Sequence, residues 1–514
     1  MDEEKLTELL QRLDSQEKER EQFIKKVAVL DAKIVQTKLD YATTYNQRSP
    51  IMQIPIELMS SIFQAAIESD EKGEGTGMLF KLSHVCHLWR SITISLPDFW
   101  TSFACTGRPS NHDLDRLSTH LERSCDRLLN LHFEIDAGKD DHPWENILRT
   151  AIGQAPRWRS FVLRFDPDPR YWRNFLSNIF TDPISVPNLE VVEILIGTGT
   201  SKRIPFDLPD RLYFQGGAPK LAHASFDSWS LMACKPLSNV TTLQITQQSA
   251  TQYSFSAFLD ILMLPRLINL SVLGDPFRPP IVGVQPVVAP ELRNFRFAGS
   301  FTLSFRLFKY LEAPKLELLI IVRTIMDDSS AFPSNTDPIP FPYLRSLALI
   351  DCPTNSYCAS RLAHLTENVT NLYISNDSTV CTSEDLFTVM VEGVKTSPGT
   401  ILWPQLEALY CNVDDAMQGF DPSEDFQYFL KVVTSRWESL KKHCTLYLSD
   451  EDAEAWRTLG PVTWNQLVDG EFFARIGISP GELDFVPWPP RTTQKFDKKW
   501  ERKFLTSRAS KKLE

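Results

Sequence analysis

One apolar pattern recurs along most of this sequence, and it constrains the fold more than any other feature. Each copy has an apolar residue, two variable residues, a second apolar residue, one variable residue and a third apolar residue. The eleven copies are Leu128-Leu131-Phe133, Trp158-Phe161-Leu163, Leu189-Val192-Ile194, Leu221-Ala224-Phe226, Val240-Leu243-Ile245, Leu267-Leu270-Val272, Leu292-Phe295-Phe297, Leu316-Leu319-Ile321, Leu344-Leu347-Leu349, Val369-Leu372-Ile374 and Leu406-Leu409-Cys411. Their leading residues are 19 to 37 residues apart, so each copy predicts one short strand in a repeating unit.

Proline marks the entry to most of these strands. Eight copies have proline two residues before the leading position: Pro156, Pro187, Pro219, Pro265, Pro290, Pro314, Pro342 and Pro404. Because proline cannot donate to a helix and has a fixed φ, we expect it to end the preceding helix and lead into the strand. The period and the pattern are typical of leucine-rich repeats, so we predict a mixed α/β solenoid with a curved parallel sheet and outer helices. The alternative, an ordinary α/β fold, is disfavoured by eleven copies in matched register.

The first 48 residues predict one long helix. Alternating steps of three and four residues place apolar side chains at eight of twelve positions: Leu6, Leu9, Leu13, Phe23, Val27, Leu30, Ile34 and Tyr41. Gln16 and Arg20 interrupt the stripe, which resembles that of a coiled coil. Two alternatives remain open, a homodimer through residues 1–45 or a helix that packs back on its own chain.

A compact helical segment follows, and its apolar anchors form a motif. It contains Ile54-Pro55-x-Glu57-Leu58, then Ser61-Ile62-Phe63, then Leu82-x-x-Val85-Cys86-x-x-Trp89-Arg90, and finally Leu96-Pro97-x-x-Trp100. This order resembles the F-box of the fungal F-box families, in which a coiled-coil-like helix precedes the box and irregular leucine-rich repeats follow. Two departures are Ile54 in place of the commoner leucine and a longer loop over residues 69–77.

The resemblance implies a partner. In F-box families the box binds the Skp-type adaptor of a cullin-based SCF ubiquitin ligase, which would make this chain a substrate receptor. The adaptor-binding residues would then be Ile54, Pro55, Leu58, Ile62 and Val85. Trp89 and Trp100 are better interpreted as core residues, because tryptophan is highly buried on average. The alternative function is a leucine-rich-repeat scaffold whose box is degenerate and which joins no ligase.

No catalytic, cofactor-binding or metal-binding pattern is recognisable. The nine cysteines are scattered without a CxxC pair, which indicates reduced, mostly buried thiols. His84 and His87 share a helix face, but no third ligand follows at zinc-site spacing. Gly197-Thr-Gly199 lacks the remaining residues of a phosphate loop. We therefore expect no enzyme and no cofactor.

Charge and hydropathy limit the other partners. The net charge is −11; residues 491–514 contain nine Lys or Arg and three Asp or Glu, a charge of +6, which leaves −17 for the rest. An acidic body has no footprint for nucleic acid. No apolar run approaches the length of a membrane span, and no secretory signal is visible. We expect a cytoplasmic or nuclear protein.

The expected domains are a coiled-coil-like helix (1–48), an F-box-like helical domain (49–104), the irregular repeats (105–450), a C-terminal cap (451–490) and a disordered basic tail (491–514). An unidentified protein target would bind the concave face of the sheet, where variable side chains alternate with buried ones. Candidates there are His223, Asp227, Arg296, Tyr373 and Tyr410. Val162, Ile320 and Ala348 on the same face are apolar, so we expect part of it to be covered.

Overall fold

The fold is taken from a computed structural model of the whole chain. It describes residues 2–69, 76–107, 109–136, 143–166, 184–196, 214, 217–227, 230–233, 237–247, 252–278, 285–299, 308–326, 340–375, 386, 390, 393–394, 397–398, 401–411, 422–475 and 488. The chain divides into two compact units, an N-terminal unit of residues 1–70 and 77–94 and a C-terminal unit with the remainder. The division falls earlier than the expected boundary at residue 104, because Phe99 and Trp100 are buried in the C-terminal unit.

The N-terminal unit is helical. Its helices are α1 (Asp2–Gln47), α2 (Ile56–Glu68), α3 (Thr76–Ser83) and α4 (His87–Ser95), with a 3₁₀ turn at Pro50–Gln53. Helix α2 begins directly after Pro55, which suits a position whose amide needs no helical acceptor. The buried apolar side chains of this unit, among the residues described, are Met59, Phe63, Leu79, Leu82 and Ile92.

Helix α1 stands apart from this small core. It is 46 residues long, so it extends for about 70 Å at 1.5 Å per residue. Every residue from 3 to 45 is exposed, including the whole apolar stripe. Leu13 is 53% exposed and Leu30 57% exposed. The structure therefore shows α1 exposed along residues 3–45, with its whole apolar stripe accessible to solvent.

The C-terminal unit is built on one parallel sheet of fourteen strands. In order across the sheet they are β1 (Ser102–Gly107), β2 (Leu129–Asp136), β3 (Trp158–Asp166), β4 (Val191–Ile196), β5 (His223–Asp227), β6 (Thr242–Thr246), β7 (Asn269–Leu273), β9 (Asn294–Ala298), β11 (Leu318–Val322), β12 (Ser346–Ile350), β13 (Asn371–Ser375), β16 (Ala408–Cys411), β17 (Thr445–Leu448) and β18 (Phe473–Arg475). Short strands β8 (Val287–Val288) and β10 (Leu311–Glu312) pair with each other, as do β14 (Gly393–Val394) and β15 (Ser397–Pro398). Consecutive strands of the large sheet are neighbours, as a solenoid requires.

The eleven predicted strands all lie in this sheet, and their pattern positions align. The second apolar residue of each copy faces that of the next, as in Leu131↔Phe161, Leu270↔Phe295 and Leu372↔Leu409. These residues point into one continuous core. The register matters because a shift of one residue would move a strand's apolar side chains to the other face of the sheet. The mixed α/β class and the long parallel sheet are confirmed.

Three strands of the large sheet were not predicted. β1 follows Trp100 and carries Phe103 and Cys105, so it fits the pattern and was recognisable. In β17 and β18 the leading position holds His443 and Gly470, which are not apolar. These strands form because the preceding edge of the sheet offers unpaired backbone groups, which is a tertiary cause.

The prolines act differently from the expectation. They occupy the second position of a β-turn that the leading residue closes, as shown by Leu189 N–H donating to the Val186 carbonyl at 3.2 Å and Leu316 N–H to Ala313 at 3.1 Å. Proline suits this position because its fixed φ matches the turn. Proline thus stabilises the turn that precedes the strand, and it does not end a helix directly.

Helices of the C-terminal unit contribute to the same core as the strands. They are α5 (Asn111–Arg123), α6 (Pro143–Ile152), α7 (Ser230–Ala233), α8 (Phe255–Leu262), α9 (Ser356–Leu365), α10 (Pro422–Leu440), α11 (Asp450–Leu459) and α12 (Pro461–Asp469). Phe258, Leu362, Val433 and Trp456 on these helices are fully buried in the core cluster. One face of the sheet is therefore filled by the core, and the other face, called the open face below, carries the variable side chains.

Candidate binding surfaces

Helix α2 presents an apolar groove on its outer side. The groove has a volume of about 610 Å³ and is lined by Pro50, Gln53, Ile54, Pro55, Leu58, Ser61, Ile62 and Ala65. Leu58 is 58% exposed and Ile62 50% exposed, whereas Met59 and Phe63 on the other side of the helix are buried. The inner side supplies the core of this unit, and about half or more of the Leu58 and Ile62 side chains is left in solvent. This surface is called the α2 groove.

Four of the five residues predicted to bind an adaptor line the α2 groove: Ile54, Pro55, Leu58 and Ile62. Val85, the fifth, lies in the turn after α3 and is 58% exposed, but it does not line the groove. Val85 belongs to the Val-Cys-x-x-Trp motif, but membership of the motif does not indicate which side of the unit its side chain faces.

The two tryptophans of the motif have separate environments. Trp89 packs against Phe63, with ring centroids 4.7 Å apart, within the N-terminal unit. Trp100 is buried in the C-terminal unit, 4.9 Å from the ring of His120 and 4.4 Å below the guanidinium of Arg123. Both side chains therefore have packing roles in their own units.

The open face carries one aligned row of side chains across all fourteen strands. In order the row is Ala104, His132, Val162, Glu193, Ser225, Gln244, Ser271, Arg296, Ile320, Ala348, Tyr373, Tyr410, Tyr447 and Ala474. The row is polar from Glu193 to Arg296 and apolar at Ile320 and Ala348, and the three tyrosines follow. The chemical character of the face thus changes along the solenoid.

The three tyrosines form a stacked ladder. Tyr373 and Tyr410 have ring centroids 4.2 Å apart, and Tyr410 and Tyr447 4.5 Å apart, with nearly parallel planes. Identical side chains in register on neighbouring strands stack because the strands are about 4.8 Å apart. The three tyrosines of the ladder are half-buried.

All five residues predicted to bind a target lie on the open face, but they are not equally accessible. His223 is half-buried, whereas Asp227 is 2% exposed. Asp227 accepts hydrogen bonds from the Ser230 amide at 2.8 Å and the Ser230 hydroxyl at 3.0 Å, and so holds the start of α7. Its placement points to a structural role that the sequence pattern did not reveal.

Arg296 is also buried, with 4% of its surface exposed. Its Nε donates to the Ser271 hydroxyl at 2.9 Å, and its guanidinium lies 5.0 Å from the ring centroid of Trp488. Trp488 comes from the segment after the last strand, and its presence on the open face was not foreseen. No periodicity in the sequence links it to this position.

The described residues contain no group of three or more His, Cys, Asp and Glu side chains that could hold a metal ion. His84 and His87 are both exposed, and His84 lies in the turn that precedes α4. The described cysteines are free, and burial raises the pKa of Cys105 and of Cys444 to about 11. Such thiols stay protonated at neutral pH and are weak nucleophiles.

Comparisons with known proteins add no functional information to these surfaces. No protein-family model matches the sequence, and a search of the curated proteins gives no significant match. Of the helices in the described ranges, none combines the length and the apolar character that a membrane crossing requires.

Proposed function

We propose that this chain is the substrate-recognition subunit of an SCF-type E3 ubiquitin ligase, with the α2 groove as the site for a Skp-type adaptor and the open face as the site for a protein target. The observation that carries the proposal is the α2 groove. Its lining coincides with the Ile54-Pro55-x-x-Leu58 start of the F-box-like motif, and Leu58 and Ile62 are exposed although they are large and apolar. A helix with one buried and one exposed apolar side fits a helix-packing partner.

The repeats supply the second half of the proposal. A solenoid whose row of side chains changes from polar to apolar to aromatic offers a long surface for a protein, and aromatic and arginine side chains carry disproportionate binding energy. Holding a target beside the ubiquitin-transfer machinery raises its effective concentration there. No reaction by the chain itself is needed.

A pull-down with purified Skp-type adaptor tests the first half. The wild-type chain should be captured, and Pro55→Ala combined with Leu58→Asp should abolish capture, because a carboxylate would be buried in an apolar contact. Ile56→Asp is the matched control, since Ile56 is 55% exposed on the same helix but does not line the α2 groove. Absence of wild-type capture would leave the alternative, a repeat scaffold with a degenerate box.

We also propose that α1 pairs with α1 of a second copy in a parallel coiled coil. Exposure of the entire stripe supports this, since an isolated helix gains little from apolar side chains left in water. In the parallel register Gln16 would meet Gln16 of the second copy, a polar pair of the kind that fixes register. Arg12 would face Glu17, and Lys26 would face Asp31. The intrahelical ion pairs Lys18–Asp14 and Lys25–Glu21 lie on the opposite side of the helix, away from this seam.

Light scattering coupled to gel filtration measures this directly. The wild-type chain should have twice the 58.8 kDa chain mass, and Leu13→Asp with Leu30→Asp should give the single-chain mass. Val29→Asp with Leu39→Asp is the control, because both residues are exposed but lie outside the stripe. A wild-type monomer at micromolar concentration would refute the pairing.

A further inference from the structure

An apolar cluster lies on the open face of the sheet, outside the main core. Ile320 and Val322 on β11 and Ala348 and Ile350 on β12 form it, and all four are at most 2% exposed. Apolar side chains on the second face of a sheet bury themselves only when another element covers them. The element that covers this cluster is therefore part of the structure of the open face.

Trp488 is the described residue from outside the sheet that packs on this cluster. Tyr373, at the end of the tyrosine ladder, packs against the same cluster from the neighbouring strand. On the other side, the guanidinium of Arg296 lies 5.0 Å from the Trp488 ring centroid. The indole thus has an apolar floor and a cation at its face, the arrangement that stabilises a bound aromatic ring.

A neighbouring strand holds the Arg296 side chain in place. Its Nε donates to the Ser271 hydroxyl at 2.9 Å, and β7 and β9 hold these residues directly opposite each other. A long side chain fixed in this way loses less rotamer freedom when it binds a ring. The sheet therefore contributes to the position of the Arg296 side chain at this site.

The resident tryptophan is incompletely satisfied. Its indole Nε1 is buried and has no hydrogen-bond acceptor among the described residues. A buried donor without an acceptor lowers the affinity of the contact, so another occupant that does satisfy its own polar groups can compete. The sequence around it, Val486-Pro487-Trp488-Pro489-Pro490, has proline on both sides, which favours an extended chain.

We propose that the open face from β9 to β17 is a docking site for an extended peptide that carries a tryptophan next to proline, and that Trp488 of the chain's own C-terminal segment occupies this site until such a peptide displaces it. Prolines of the peptide would lie along the Tyr373–Tyr410–Tyr447 ladder, because proline-rich segments bind grooves lined by aromatic rings. The proposal specifies the target chemistry for the open face and does not depend on the adaptor.

The linked occupant gives the test its magnitude. A tethered segment has an effective concentration on the order of millimolar. If the free peptide binds with a Kd of about 10–100 μM, the tether weakens binding of an added peptide by roughly 10- to 100-fold. Removing the resident indole should restore that factor.

The probe is a fluorescein-labelled synthetic peptide with the sequence of residues 482–494, added to the full-length chain and followed by fluorescence anisotropy. Trp488→Ala should bind the probe at least tenfold more tightly than the wild type. Trp437→Ala is the matched control, because Trp437 is a 49% exposed tryptophan on α10, and it should bind as the wild type does. A probe in which alanine replaces tryptophan should not bind Trp488→Ala.

A second variant locates the site. Arg296→Gln in the Trp488→Ala background should lower the affinity for the probe about tenfold, with circular dichroism to confirm that the chain is folded. Equal affinities of Trp488→Ala and wild type would overturn the proposal, as would equal binding of the probe without its tryptophan. Because no adaptor is present, these outcomes are independent of whether the chain joins a ligase.

Discussion

The N-terminal end of the solenoid should lose stability on mild acidification, because a buried histidine must stay neutral there. His120 lies in the last turn of α5 and is 1% exposed. Its ring meets Trp100 at 4.9 Å and Phe103 at 5.4 Å, both edge to face. Burial lowers the pKa of His120 from 6.5 to about 4; the Trp100 backbone opposes this shift, and the cations Arg116 and Arg123 contribute to it.

The sign follows from where the protons bind. Between pH 6.5 and pH 4 the unfolded chain protonates this imidazole and the folded chain does not, so acidification favours unfolding. The contribution is fully present above pH 6.5 and is lost as the pH falls to about 4. With these two pKa values, the loss between pH 7 and pH 5 is about 2 kcal/mol, and the limit at low pH is about 3 kcal/mol.

Hydrogen exchange at the amides of β1 and β2 measures the effect where it arises, since repeat proteins open locally. After correction for intrinsic exchange rates, the opening free energy in the wild type should fall by about 2 kcal/mol from pH 7 to pH 5. His120→Phe keeps an aromatic ring without a titrating group and should remove most of that fall. His112→Asn, an exposed histidine of the same helix, is the control and should leave the fall unchanged.

Two results would refute this reasoning. One is the same pH dependence in His120→Phe as in the wild type, which would assign the effect to other groups. The other is an NMR titration of the folded chain in which the His120 imidazole titrates at or above pH 6.5. The native environment would then favour the charged ring, in conflict with its burial between two aromatic rings.

Two further substitutions test how the solenoid is held together. Arg436→Leu should lower the free energy of unfolding, measured in urea, by about 3 kcal/mol, because it removes charged donors 2.7 Å and 2.6 Å from the buried carbonyls of Trp403 and Leu402. Arg436→Lys should lower the free energy of unfolding by less. An unchanged urea midpoint for Arg436→Leu would contradict this role of Arg436. Gly274→Ala should destabilise by about 1–2 kcal/mol, because Gly274 has φ +85° and a new Cβ would lie 2.6 Å from the Cβ of Gln247; Gly77→Ala, with open space around the new methyl group, should not, and equal thermal shifts for the two would argue against strain at Gly274.

Much of the fold could be predicted because it is written in short-range patterns. A strand alternates its side chains between two faces, so an apolar residue every second position indicates which side chains enter the core. The register of Leu270, Phe295 and Leu319 on neighbouring strands follows from the requirement that each strand bury the same positions. Local helical periodicity also places the apolar side chains of α1 on one stripe, but it does not determine whether that stripe is exposed.

The binding surfaces were only partly predictable. Sequence spacing placed Arg296, Tyr373 and Tyr410 on the open face, since alternation fixes the face of each residue. It could not show that Arg296 is buried under an aromatic ring, or that Asp227 is engaged by Ser230. Those outcomes depend on groups outside the strand that carries the residue.

The sequence by itself determined which residues of the eleven repeats form strands, which face each of their side chains takes, and which helix residues share a face, because these depend on periods of two and 3.6 residues. Only the tertiary structure decided what covers each face. β17 and β18 extend the sheet by pairing at its edge, and Trp488 packs on Ile320 and Ala348, which are far from it in the sequence. Contacts between residues so distant in sequence depend on closing a long loop, and no local sequence pattern predicts them.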